Sequence, residues 1–303
     1  MKFLLEGLGE SAGFQKVHPM VNVIFYVLVI VINIFSNDPV FLATAFLCAW
    51  FYTVILGGVK TMKINLLITL PVAVMMTAIN GFFSHNGATV LFFINNNRIT
   101  LEAFLFGISS ACLCVTVILW LRTFQVIMSA DKIIYLFGKI ASVLGLTLSM
   151  VFRFIPLLKE RYREIRMGQQ CMGRHGKGSL IQQMRQLTKE ISILISWSLE
   201  ASIETSDSME ARGYGLPHRS QFHLFKFQKS DGRLLFVMLI CSVIILPCCV
   251  LGYTNCYYYP VVRLKPWSFL KALAYLAYVC LMVVPMILDI RGERKWQQLK
   301  SKM

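Results

Sequence analysis

Arg212 follows Ala211 and precedes Gly213 where a long helical pattern stops, and Gly215 and Pro217 come just after. Glycine supplies the left-handed residue that closes a helix, and proline keeps the helix from restarting. A guanidinium fixed at such a tip is suited to a charge-assisted, fork-shaped grip on carboxylates of another surface. Upstream, Glu200, Glu204 and Asp207 lie four and seven residues apart and share a face, with Glu210 nearby. Apolar residues recur at helical spacing through Ile191, Leu194, Ile195, Leu199 and Ile203. The stretch reads as an amphipathic lever that another protein holds at Arg212. An earlier stretch ends in a similar way, with Gly173, Arg174, Gly176 and Gly178. An arginine near a helix C-terminus also complements the helix dipole, for roughly 0.3–1 kcal/mol. That accounts for one such ending more readily than for two in one chain.

Residues for bond-making chemistry are missing from recognisable arrangements. The GRHGKGS run at 173–179 fails as a phosphate-binding loop: the spacing is wrong, Gly178 follows Lys177, and no strand precedes it. There is no HExxH, no GxSxG elbow and no Asp-rich motif within an apolar run. His85 stands in a polar loop with no carboxylate or cysteine beside it, so no metal site is expected there. The nine cysteines lie mostly in apolar runs, and their odd number and spacing fit neither a disulfide framework nor a zinc site. The chain is expected to be non-enzymatic and to need no cofactor. A membrane-embedded enzyme would need paired catalytic groups at membrane depth, and a self-sufficient channel or carrier a polar path. Asn22, Asn33 and Asn80 are the only hints of such a path.

What must position the arginines is mostly membrane. The chain has 303 residues and is 56% hydrophobic, more apolar surface than a soluble domain can bury. Spans are expected at about 19–35, 40–56, 64–79, 101–121, 234–251 and 269–288. Residues 1–18 read as a polar arm, GGVKTMK at 57–63 as a cytoplasmic loop, and 80–100 as an outer loop with a short β-like run at 89–94. The formal net charge of +15 fits basic cytoplasmic loops, attraction to acidic lipid, or an acidic partner. Nucleic acid is not indicated, since no basic stretch is interleaved with stacking aromatics in a known module. Both termini are placed in the cytoplasm. Arg263 and Lys265 in the last outer loop run against the charge bias.

Residues 140–158 are apolar enough to pass for a span. Crossing there would carry the basic segment 159–233 outside, and Arg153 and Pro156 are poor residues for a lipid-facing helix centre. The region therefore reads as a helix in or under the cytoplasmic interface. Three domains are expected: a four-span region at 1–124, a cytoplasmic insert at 125–232, and a two-span region with a basic tail at 233–303. The insert should hold three helices, at about 130–144, 147–172 with a kink at Pro156, and from 179 onward. The fold class is an all-α integral membrane protein.

Three stretches of the insert resemble one family, the transmembrane T component of energy-coupling factor (ECF) transporters. SADKIIYLFGKI from Ser129 looks like its first coupling helix. LGLTLSMVFRFIPLLKERYREIRMGQQCMGR from Leu144 looks like its second, with RFIPLL before a charged helix. SLEASIETSDSMEARGYG from Ser198 looks like its third, and Ala211-Arg212-Gly213 is the family's Ala-Arg-Gly motif as written. Where the family shows a first such motif, this chain has Gly173-Arg174-His175, which keeps the arginine and changes its neighbours. The resemblance implies two ABC-type ATPase partners, each gripping one arginine-tipped helix. It also implies a small membrane S component that binds the substrate, and uptake of a vitamin, metal ion or other micronutrient through the bacterial cytoplasmic membrane. The S component would choose the substrate.

Overall fold

A computed structural model describes residues 13–301 apart from 85, 95–96, 174–178, 215–224 and 263–265. In chain order the elements are a 3₁₀ turn (Phe14–Lys16), α1 (Pro19–Phe35), α2 (Pro39–Phe83), β1 (Val90–Ile94), β2 (Asn97–Thr100), α3 (Leu101–Ile127), α4 (Ala130–Ile140), α5 (Ser142–Cys171), α6 (Leu180–Ala211), α7 (Lys229–Val250) and α8 (Phe269–Lys300). They form two compact units. Residues 1–129 join 225–303 in one, and 130–224 make the other.

The first unit holds the membrane helices. Among the described residues five runs are long and apolar enough to cross a bilayer: Pro39–Gly58, Thr61–Phe83, Leu101–Ile127, Lys229–Val250 and Phe269–Lys300. The apolar α1, at 17 residues, is slightly shorter than the roughly 20 a level crossing takes. Helices α1 and α2 open with proline at the first turn, behind caps that use His18 Nδ1 and the Asp38 carboxylate. The expected loop at 57–63 is instead a break inside α2, at Gly58, whose φ of +67° only glycine adopts cheaply. The Asn65 amide donates to Thr53 Oγ1 at 2.6 Å. In a straight helix twelve residues span about 18 Å, so the two halves must fold back on each other. The β-like run pairs antiparallel with β2, giving a short hairpin between α2 and α3.

Apolar burial and buried carboxylates, Asp289 and Asp38 among them, organise this unit. Phe14, Phe25, Tyr26, Tyr52 and Trp120 form an aromatic cluster with mostly edge-to-face contacts. The N-terminal arm is thus not wholly polar: Phe14 is fully buried, and its amide donates to Asp289 Oδ1 at 2.6 Å while the Tyr52 hydroxyl donates to Oδ2 at 3.0 Å. The second carboxylate, Asp38, pairs with Lys271 at 2.5 Å, and both are buried. The asparagines divide. Asn33 accepts from the Tyr278 hydroxyl at 3.3 Å and Asn80 donates to the Met76 carbonyl. Asn22 is fully buried, and among the described residues neither of its amide atoms has a hydrogen-bond partner.

Among the described residues the second unit holds three helices. Helix α4 ends at Ile140, not at 144, and α5 begins at Ser142 and runs through Pro156 without interruption in its assignment. A close helix crossing explains the early break. A Cβ on Gly145 would lie 2.4 Å from Gly138 Cα, whereas a Cβ on Gly138 would lie 3.6 Å from Gly145 Cα, an ordinary contact. The two positions should therefore respond differently to alanine. Gly145→Ala forces two backbones apart and should destabilise by about 1–3 kcal/mol, as overpacking does. Gly138→Ala should be neutral or slightly stabilising, since alanine favours helix by up to about 1 kcal/mol. Thermal unfolding of the two variants checks this; equal midpoints would contradict the crossing.

Candidate functional site

The end of α6 is built as its sequence indicates. Gly213 has φ +76°, its amide donates to the Glu210 carbonyl at 2.9 Å, and the Tyr214 amide reaches back to the Met209 carbonyl at 3.1 Å. This pair of bonds is the Schellman closure, with Arg212 as the last half-helical residue and Gly213 as the left-handed one. The chain turns sharply there, and Ala211 and Arg212 are both exposed. Among the described residues no carboxylate pairs with Arg212; the two ion pairs are Arg161–Glu164 and Lys271–Asp38. The tip offers a free guanidinium on a fixed backbone.

Helix α5 also ends on a left-handed glycine. Gly173 also has φ +76°, and its amide donates to the Gln170 carbonyl at 3.0 Å. Here the half-helical residue is Met172. Arg174 lies outside the described residues, but in sequence it follows the left-handed glycine, whereas Arg212 precedes its own. The two arginines thus differ in their sequence position relative to the left-handed glycines. His85, Gly176, Gly178, Gly215, Pro217, Arg263 and Lys265 also lie outside the described residues.

The remaining candidates lie along the two helices. Glu200, Glu204, Asp207 and Glu210 are all exposed on α6, and none is ion-paired among the described residues. Arg153 and Pro156 are exposed on α5. The Arg161 guanidinium sits 4.9 Å from the centroid of the Trp197 ring and binds Glu164 at 2.7 Å, so a cation–π contact joins α5 to α6. The apolar spacing on α6 is real, but its direction differs from the simplest expectation. Ile191, Ile195, Leu199 and Ile203 are exposed, 41% to 65%. The half-buried stripe runs instead through Leu194, Trp197, Ala201, Thr205 and Met209. Val143, Leu144, Val151 and Ile155 of α5 are exposed as well. This unit therefore offers two long apolar faces in addition to its charged tip. Helix α5 is not among the helices long and apolar enough to cross a membrane.

Two features had no clear signal in the sequence. Lys132 on α4 is buried with its ammonium unpaired among the described residues, and that burial pushes its pKa down to about 8. The Asp38–Lys271 pair joins residues more than two hundred positions apart. Among the described residues no three His, Cys, Asp or Glu side chains gather closely enough to hold a metal ion.

Comparison with known proteins gives this arrangement a context. Over 105 residues the chain is 30% identical to the energy-coupling factor transporter transmembrane protein EcfT of Streptococcus equi subsp. equi (strain 4047). That match covers 34% of this chain and 39% of the relative, so the chain spans well under half the length of the curated relative it matches. A family model describing a cobalt transport protein, CbiQ, matches residues 14–224, from the buried N-terminal turn through the three helices of the second unit. On that extent of agreement, this multi-pass membrane chain belongs to the CbiQ cobalt transport protein family.

Proposed function

We propose that the chain is the T component of an ECF-type importer: a non-catalytic membrane subunit that carries motion from two ATPase subunits to a substrate-binding S component. The observation that carries this reading is the end of α6, where Arg212 is exposed and unpaired on a backbone fixed by the Gly213 closure. A long helix ending in a rigidly placed cation can receive a push and pass it along its length. A flexible loop cannot. Both termini and the unit 130–224 are assigned to the cytoplasm, where the ATPases work, in line with the bias of basic segments to that side. ATP binding and hydrolysis belong to the partners.

The apolar faces supply the other half of the role. Val143, Leu144, Val151 and Ile155 on α5 give a surface against which an S component moves. Such faces on a solvated protein would be an aggregation hazard, so their exposure here favours a partner or the membrane interface. The substrate, whether vitamin, metal ion or another micronutrient, is set by the S component. Affinity purification of the tagged chain from its own membranes tests the reading. Two ATPase chains and one small membrane protein should co-purify. A chain that purifies alone and still supports uptake in reconstituted vesicles would overturn it.

A further inference from the structure

Among the described residues a large cavity lies between the two halves of α2 and α3. It has a volume of about 1030 Å³ and an almost wholly apolar lining that includes Trp50, Leu66, Leu70, Val74, Ile108 and Val115. One end is shut by close packing: Gly107 lies against Thr77, and Gly81 lies against the Phe104 ring. The half-helix Thr61–Phe83 that walls the cavity is the least buried span, with 11% of its apolar window covered against 33% to 44% in the other four. Most of the apolar surface of this half-helix is therefore left uncovered by the rest of the chain.

At the open end the same three helices change character. A small second cavity there is bounded by Thr53, Gly57, Thr61, Arg122, Thr123 and Val126. Trp50, Thr53 and Gly57 follow one stripe of α2, and Ile108, Val115, Arg122 and Val126 follow one stripe of α3. The two cavities thus lie on the same helix faces, one beyond the other. Arg122 donates through Nη1 to Asn65 Oδ1, and no described carboxylate neutralises it. Lys63 is exposed on the second half of α2, near the Gly58 fold-back. Arg122 is five residues from the end of α3, about 8 Å along the axis, which on a helix about 40 Å long puts its Cα at the edge of a roughly 30 Å hydrocarbon layer, within side-chain reach of the headgroups. From Arg122 to Phe104 the groove runs about 27 Å, at 1.5 Å per residue.

We infer that this groove is a binding site for one anionic phospholipid, with its acyl chains along the apolar cavity and its phosphate beside Arg122. The charge decides the occupant. A membrane helix from a partner fills an apolar groove with no need of a cation at its mouth, and a zwitterionic lipid gains little from one. An unneutralised guanidinium above an acyl-sized groove matches a headgroup of net negative charge.

The test uses the full-length chain in nanodiscs of mixed phosphatidylglycerol and phosphatidylcholine. Lipid retained through detergent exchange is read by native mass spectrometry. The wild-type chain should retain phosphatidylglycerol over phosphatidylcholine by about fivefold more than the bulk ratio, the scale of one cationic side chain at an anionic surface. Arg122→Gln should abolish the preference and Arg122→Lys should keep it. Val74→Trp, which fills the groove and leaves the cation, should remove both lipids. Equal retention in the wild-type chain overturns the site, as does an unchanged preference in Arg122→Gln. A photo-crosslinker at Leu70 should capture lipid; capture of a partner's helix, or of a second copy of this chain, overturns it too.

Discussion

Replacing Arg212 with Glu is expected to separate the chain from the ATPase subunits proposed as its partners and reduce uptake to background, without unfolding it. Arg212 is exposed and makes no described ion pair, so no internal bond is lost. A carboxylate beside the last helical carbonyls gives up about 0.3–1 kcal/mol of dipole complementarity, too little to melt a membrane protein. The cost falls on the interface. Removing one partner of a buried, hydrogen-bonded charge pair typically costs 2–5 kcal/mol, and reversing its sign adds repulsion. Binding should weaken by about two orders of magnitude or more, since each 1.4 kcal/mol is tenfold. Arg212→Lys should fall between, keeping charge and losing the planar fork. Gly213→Ala should impair coupling through the backbone, since an L-residue held at φ +76° costs roughly 1–2 kcal/mol. Co-purification with the ATPases, ATP hydrolysis and uptake in vesicles are the readouts. Arg174→Glu should act in the same direction but less severely, because Arg174 follows its left-handed glycine where Arg212 precedes its own. A normal complex and normal uptake in both variants would remove the lever from the mechanism.

Much of this could be seen in the sequence, and the reason differs from feature to feature. The membrane runs were legible because an apolar stretch of about twenty residues has few other uses. The end of α6 was legible because glycine after arginine, with a proline beyond, is local chemistry: the closure involves residues 208 to 214 alone. Periodicity grouped Ile191, Ile195, Leu199 and Ile203 on one face, yet which way a face points depends on what packs against it, and spacing holds no information on that. The α4–α5 boundary moved for a related reason. Gly138 and Gly145 meet backbone to backbone, and two glycines seven residues apart read equally well as a continuing helix or a crossing. GGVKTMK was recognised as a change of direction but not as a fold-back at Gly58, because a left-handed glycine can serve either a loop or a break. Contacts across the whole chain, such as Phe14 to Asp289, had no local trace at all.

Lys271 shows how much such a hidden contact can carry. Its ammonium lies 2.5 Å from the Asp38 carboxylate, in contact range of the Trp267 and Tyr275 rings at 5.8 and 5.9 Å. Asp38 meanwhile caps α2 by accepting from the Val40 amide at 3.2 Å, and its own amide donates to the Thr254 carbonyl at 3.0 Å. One residue thus ties the α1–α2 turn to α8 and to the segment between α7 and α8. Lys271→Met would leave a buried carboxylate without its cation, and breaking a buried pair from one side costs about 3–5 kcal/mol. A fall in the thermal midpoint of the purified chain, with poor membrane yield, is the expected result. The double variant Asp38→Asn with Lys271→Met should recover most of the loss, because an asparagine keeps a helix cap and leaves no charge to solvate. Asp38→Ala with Lys271→Met should recover less, since the cap is lost as well, at about 1 kcal/mol. If Lys271→Met alone were as stable as the wild-type chain, the pair would not be the clasp between α2 and α8. If the double variant were no better than the single, the loss would lie in the ammonium's contacts with the Trp267 and Tyr275 rings, which methionine also lacks, and not in a stranded Asp38 charge.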